Sequence, residues 1–111
     1  MRQDKVLKNQ VKKILRVVEE LAPGRSVELR IPPYAAIQCI AGSTHRRGTP
    51  PNVVEMDAKT LLQLSNSPQS WDQLCSEGEI KASGTNSNLA ELFSRVSKLI
   101  SNFDEELSDG K

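Results

Sequence analysis

The chain has 111 residues, with 15 basic and 14 acidic side chains, one histidine and two cysteines. That length suits one domain, which buries roughly 65% of its unfolded surface and folds without disulfide or metal staples; the net charge of +1 excludes a nonspecific grip on nucleic acid through overall charge. No stretch approaches the roughly 20 apolar residues of a membrane span, and the polar start lacks the apolar centre of a secretion signal, so a cytoplasmic location is expected.

From Lys5 to Ala22 the apolar residues Leu7, Val11, Ile14, Val18 and Leu21 recur at three- and four-residue intervals. This spacing predicts a one-sided helix over 5–22, stopped by Pro23 and Gly24. Its charge is one-sided too, with Arg2, Lys5, Lys8, Lys12, Lys13 and Arg16 against Asp4 alone among residues 1–16. The helix has no tryptophan or phenylalanine to anchor it in a membrane and reads as a solvated basic face over a packed apolar one.

"SVELRIPP" alternates, with Val27, Leu29 and Ile31 on one face and Glu28 and Arg30 on the other, as a half-buried strand requires. Pro32 and Pro33 end it. "YAAIQCIAG" reads as a second strand, with Ala35, Ile37 and Cys39 toward the core and Tyr34, Ala36, Gln38 and Ile40 away. "NVVEMD" is a third, and its Asp57 is placed to cap the helix "AKTLLQLS". Ser70 and Gln73 have capping-box spacing ahead of "WDQLCSEG", where Trp71, Leu74 and Cys75 share a face and Gly78 supplies a left-handed exit.

"EIKASG" gives the last strand, with Ile80 and Ala82 inward and Lys81 and Ser83 outward. Asn88 and Glu91 then open a helix whose Leu89, Leu92, Phe93, Val96, Leu99 and Ile100 make a broad apolar stripe. From Ser101 the acidic residues suggest fraying into a tail, with the acidic run itself starting at about 104. One domain over 1–111 is expected.

Several chemistries are set aside at this level. One histidine and two distant cysteines cannot supply a four-ligand zinc site, and the glycines never assemble a phosphate-binding loop, so neither metal nor nucleotide cofactor is expected. Cys39 and Cys75 read as reduced, buried thiols. A Cys39–His45 nucleophile pair would need a thiol beside its base, whereas Cys39 reads as a core-facing strand residue and no third group is evident.

Three stretches, "PPYAAIQC" at 32–39, "HRRGTPPNVVE" at 45–55 and the helix–glycine–strand run ending "KASG" at 81–84 with "NLAEL" after it, together resemble the small bacterial, chiefly actinobacterial, branch of the sterol carrier protein family. The resemblance covers about residues 25 to 93. It implies an α+β fold, a mixed sheet of about five strands with helices packed over one face, and an apolar tunnel between sheet and helices. It also implies a nonenzymatic carrier of fatty acids or fatty acyl-CoA rather than of sterol. The same fold serves as an accessory domain of larger enzymes, so an interaction module without a lipid ligand is the alternative.

Under that resemblance Tyr34, Ile37, Met56, Leu62, Trp71, Leu92 and Phe93 are the candidates for a cavity lining. Pro50 and Pro51 stiffen the segment that follows His45, Arg46 and Arg47. These basic residues, with Asn52, form a candidate anion grip for a carboxylate or phosphate head group, the other reading being a proline-terminated sheet edge with solvated arginines. The strand parities collect Glu28, Arg30, Gln38, Glu55 and Lys81 on the outward sheet face, a polar surface suited to a protein partner or a second copy of the chain.

Overall fold

The computed structural model describes residues 2–42 and 50–109, with side chains over 4–42 and 50–102. The elements run α1 (Arg2–Leu21), β1 (Val27–Ile31), β2 (Ala35–Cys39), β3 (Asn52–Met56), α2 (Ala58–Asn66), a 3-10 turn (Pro68–Ser70), α3 (Trp71–Ser76), β4 (Ile80–Ser83) and α4 (Ala90–Asp109).

The strands form one mixed sheet in the order β2-β1-β3-β4. β1 pairs antiparallel with β2 and parallel with β3, and β3 pairs antiparallel with β4. Residues directly opposite each other share a face, so the register sets Val27, Leu29 and Ile31 beside Cys39, Ile37 and Ala35 on one side and beside Asn52 and Val54 on the other. All three β1 side chains are fully buried. The helices cover this face: α1 packs on β2, α3 packs on β4, and α1, α2 and α4 pack on one another. Phe93 of α4 is the largest fully buried side chain.

Local chemistry explains the boundaries. Asp57 has extended backbone and its Oδ1 accepts from the Thr60 N–H at 2.8 Å, capping α2 as its position suggests. Asn88 Oδ1 accepts from the Ala90 N–H at 2.9 Å ahead of α4. Gly78, with φ +80°, ends the α3 segment in the left-handed region.

The structure departs from expectation at several points. Four strands are present among the described residues, against the five or so that the family resemblance implied; the alternation patterns themselves mark only these four. α1 starts at Arg2, ahead of Lys5, because the residues before the apolar repeat are sound helix formers. α4 continues to Asp109 where fraying from Ser101 was expected. Glutamate favours helix, and Phe103 and Leu107 extend the three- and four-residue apolar spacing of Ile100.

The Ser70–Gln73 capping box does not form. Ser70 Oγ donates to the Ser67 carbonyl at 2.6 Å inside the 3-10 turn, the Ser70 N–H that the Gln73 side chain would meet goes to the same carbonyl at 3.0 Å, and Gln73 Nε2 donates to Glu77 instead. Ile40 does not face away from the core. With φ +65° it leaves the strand, its N–H reaches the Ala22 carbonyl, its carbonyl takes the Ser26 N–H, and its side chain packs against the core. Tyr34 packs there too. Ala82 has the inward parity yet is exposed, as is Leu99 at 43%. Cys75 is half-buried rather than buried.

A polar joint ties the sheet to its connections. Asn52 is buried; its Nδ2 donates to the Ser26 carbonyl at 3.0 Å and its Oδ1 accepts from the Asn86 N–H at 3.0 Å. Gly84 (φ +102°) lies against it so closely that an added Cβ would collide with Asn52 Oδ1. Asn52→Leu should therefore strand the Ser26 and Asn86 groups and lower stability by about 1–3 kcal/mol in urea unfolding. Gly84→Ala should be at least as costly, since it adds a backbone strain to the collision.

Cys39 is fully buried beside β1, and desolvation, with a smaller contribution from the Glu19 carboxylate, pushes its thiol up to about 11. The folded chain thus holds this proton when the unfolded chain has released it, so stability should fall as pH rises from about 9 toward 11. Cys39→Ser should cost about 1–3 kcal/mol and remove part of that alkaline loss. In the native protein a thiol reagent should label Cys75 well before Cys39; equal rates would contradict the burial.

Candidate functional site

The residues with cavity-lining potential divide by depth. Met56, Trp71, Leu92 and Phe93 are buried members of one apolar cluster, while Ile37, Tyr34 and Leu62 are half-buried and packed against it. Met56 sits opposite Ile80 on the inward face, Ile37 sits opposite Leu29, Trp71 opens α3, and Leu62 lies midway along α2. They form one continuous packed layer between sheet and helices, with its half-buried members at the margin.

One margin opens into a groove among α1, α2 and α4. Its volume is about 290 Å³, with a floor of Ile14, Leu62 and Ile100 and a rim of Gln10, Lys13 and Asn66. Ser65 completes the wall, its Oγ committed to the Leu61 carbonyl at 2.8 Å. This is close to the roughly 300 Å³ lower bound of small-molecule sites. An apolar floor with a cationic and amide rim is the lining an amphiphile needs.

A second hollow of about 350 Å³ lies at the end of the sheet, lined by Ser26, Ile40, Ala41, Gly42, Thr85, Asn86 and Asn88. Its lining is hydroxyls, amides and glycine backbone. His45, Arg46 and Arg47 lie outside the described residues. Gly42, in this hollow, is the last described residue before them, and Pro50 is the first after them. Asn52 does not point a free group into either space, since the polar joint uses both ends of its amide.

Glu28, Arg30, Gln38, Glu55 and Lys81 do share the outward face. The register aligns Arg30, Glu55 and Lys81 in one row across the strands and Gln38 with Glu28 in the next. Arg30 pairs with Glu28 at 2.9 Å along β1 rather than across strands, and Arg25 Nε donates to Gln38 Oε1 at 3.1 Å. Exposed pairs of this kind stabilise by a few tenths of a kcal/mol, up to about 1.

Neither thiol is activated. Burial holds Cys39 protonated, and burial together with Asp72 raises Cys75, which leaves little thiolate at neutral pH. Among the described residues no three His, Cys, Asp or Glu side chains gather where they could hold a metal ion.

Sequence reasoning missed Gln10, Lys13, Ser65 and Asn66 at the groove and Ser26, Thr85 and Asn86 at the sheet end. The groove residues are polar neighbours of core positions on two separate helices, α1 and α2, and only helix packing brings them together with Ile100 of α4. Ile100, the last residue of the α4 stripe, was the available signal.

The family whose sequence model is described as "Bacterial SCP ortholog" matches residues 3–94. That span runs from α1 through the first turn of α4 and takes in the first helix, which the motif resemblance alone did not. A comparison with curated proteins gives no match. The family points to lipid carriage in general terms. With its one-sided sheet, helical cover and motif stretches inside the matched span, the chain belongs to the bacterial sterol carrier protein orthologues.

Proposed function

We propose that the protein is a noncatalytic carrier of a fatty acid or fatty acyl-CoA. The observation that carries this reading is the family match over residues 3–94. The groove floored by Ile14, Leu62 and Ile100 supports it as the entrance, because its floor continues into the packed layer of Trp71, Leu92 and Phe93. An acyl chain gains about 0.8 kcal/mol for each methylene it buries. Seating a long chain requires side chains of that layer to move aside.

Arg47 is the proposed partner of the head group, aided by His45 and Arg46, because a guanidinium offers a carboxylate or phosphate two parallel donors. Pro50 and Pro51 limit the freedom of the chain that leads from these residues into β3.

A second reading is an interaction module without a lipid, in the cytoplasm like the first. It is favoured by the density of the core, where Phe93, Leu61 and Leu64 have no exposed surface, and by the open polar face of Arg30, Glu55 and Lys81. Native mass spectrometry of freshly purified protein separates the two, since a carrier retains copurified lipid.

Titration with a fluorescent long-chain fatty acid should saturate at micromolar concentration or below. Absence of saturable binding overturns the carrier reading. Arg47→Ala should weaken charged ligands by roughly 10- to 150-fold, equivalent to about 1.5–3 kcal/mol, and leave an uncharged ligand of equal chain length unaffected. A variant that binds both like the parent removes Arg47 from the site.

A further inference from the structure

The sheet has two edges, β2 and β4, and they are covered differently. β2 lies against α1, a helix of 20 residues, whereas β4 lies against α3, a helix of six. Among the described residues no strand pairs with the outer side of β4. Its four residues therefore present unmatched N–H and C=O groups along about 13 Å.

A hollow of about 440 Å³ follows that side. Lys81 and Ser83 line it from the outward face of β4, Ala82 from the inward face, and Cys75 and Gly78 from the end of α3. The helical layer stops short of the strand. Ala82 sits opposite the fully buried Val54 yet is itself exposed, Cys75 is half-buried, and a Cβ added at Gly78 would meet nothing within 4 Å. A further strand would set an apolar side chain between Ala82 and Cys75.

The charges select what such a strand carries. Glu79, Lys81 and Ser83 alternate along the outward side of the edge, all exposed, with Glu55 across from Lys81 on β3. Opposite charges facing each other across strands are favourable and like charges are not. An antiparallel newcomer thus matches the edge with a base at Glu79, an acid at Lys81 and a hydroxyl at Ser83. A second copy of β4 matches it poorly. Two-fold pairing centred on Lys81 sets lysine against lysine, pairing centred on Ala82 sets Lys81 against Ser83, and pairing centred on Ile80 needs extended backbone at Gly78, where φ is +80°.

We propose that the outer edge of β4 takes up an extended segment of a partner protein as an added antiparallel strand, its apolar side chains entering the hollow and its acid and base facing Lys81 and Glu79. Main-chain bonds to the edge hold such a segment, and the alternate side chains fix its register. The hollow shares no lining residue with the groove among α1, α2 and α4, so the proposal goes beyond the carrier reading and is independent of it.

The test titrates the isotope-labelled full chain with the capped peptide Ser-Val-Glu-Val-Lys and follows the backbone amides by NMR. Shifts should saturate and centre on Ile80 to Ser83 and α3, and the bound peptide should slow the labelling of Cys75 by a thiol reagent. The charge-inverted peptide Ser-Val-Lys-Val-Glu should bind about tenfold more weakly, and N-methylation of alternate peptide amides should abolish binding in one of its two phases. Glu79→Lys with Lys81→Glu should reverse the preference between the two charged peptides. Lys81→Glu sets a second carboxylate opposite Glu55 and costs some stability, but a preference measured on one folded protein does not follow stability. Absence of saturable shifts, shifts centred on β2, equal binding of both charged peptides, or a preference that the double variant leaves unchanged overturns the proposal. Concentration-dependent dimerisation of the chain alone through β4 also overturns it, in favour of a second copy as the occupant.

Discussion

Everything in this fold answers to the inward side of β1. Val27, Leu29 and Ile31 are fully buried at the centre of a sheet that, among the described residues, has helices over one face, and a strand in that position needs neighbours on both edges and a layer above. β2 and β3 provide the edges; α1, α2 and α4 provide the layer with Val11, Val18, Leu61, Leu64, Phe93 and Val96. Burial of this kind is proportional to apolar area and indifferent to direction. It fixes which sides meet and leaves the detail of each boundary to hydrogen bonds.

That division accounts for what could be read from the residues. The alternation of β1, the inward parity of Ala35, Ile37 and Cys39, the Asp57 cap and the stripe from Leu89 to Val96 follow from periodicity or from one local bond, and each holds. The Ser70 cap fails because the competing 3-10 turn holds Ser70 at ψ 5° instead of in extended backbone and draws its N–H to the Ser67 carbonyl. Ile40 turns inward because a pair of backbone bonds to Ala22 and Ser26 fixes it in a left-handed conformation. Neither competitor is visible as spacing. The strand count differs for another reason: four came from the residues and about five from the family, and the residues were the better guide.

The candidate site was less legible than the fold. Apolar candidates such as Met56, Trp71 and Phe93 are identified equally well by core packing and by ligand contact, since both select the same side chains. The groove depends on Gln10, Leu62 and Ile100 arriving from three helices. Charge, by contrast, is legible from sequence alone, but its meaning changed once the two surfaces could be compared. The sheet face interleaves its signs, with Arg30 paired to Glu28, whereas the exposed side of α1 groups them, with Lys5, Lys8, Lys12 and Arg16 ahead of Glu19 and Glu20.

The contact between Asn52 and Gly84 has a bearing on β4 itself. A strand usually keeps its alignment because a slip of one residue would send its buried side chains into water. β4 buries only Ile80, while Lys81, Ala82 and Ser83 are exposed, so side-chain burial penalises a slip very little. The alignment is instead held from the strand's end: a shift by one would place Ser83 or Thr85 where only a glycine fits against Asn52, and would pull the Asn86 N–H away from its acceptor. Residues 52 and 84 thus act as a latch on an otherwise loosely specified edge, and substitutions tolerated at one position depend on what occupies the other.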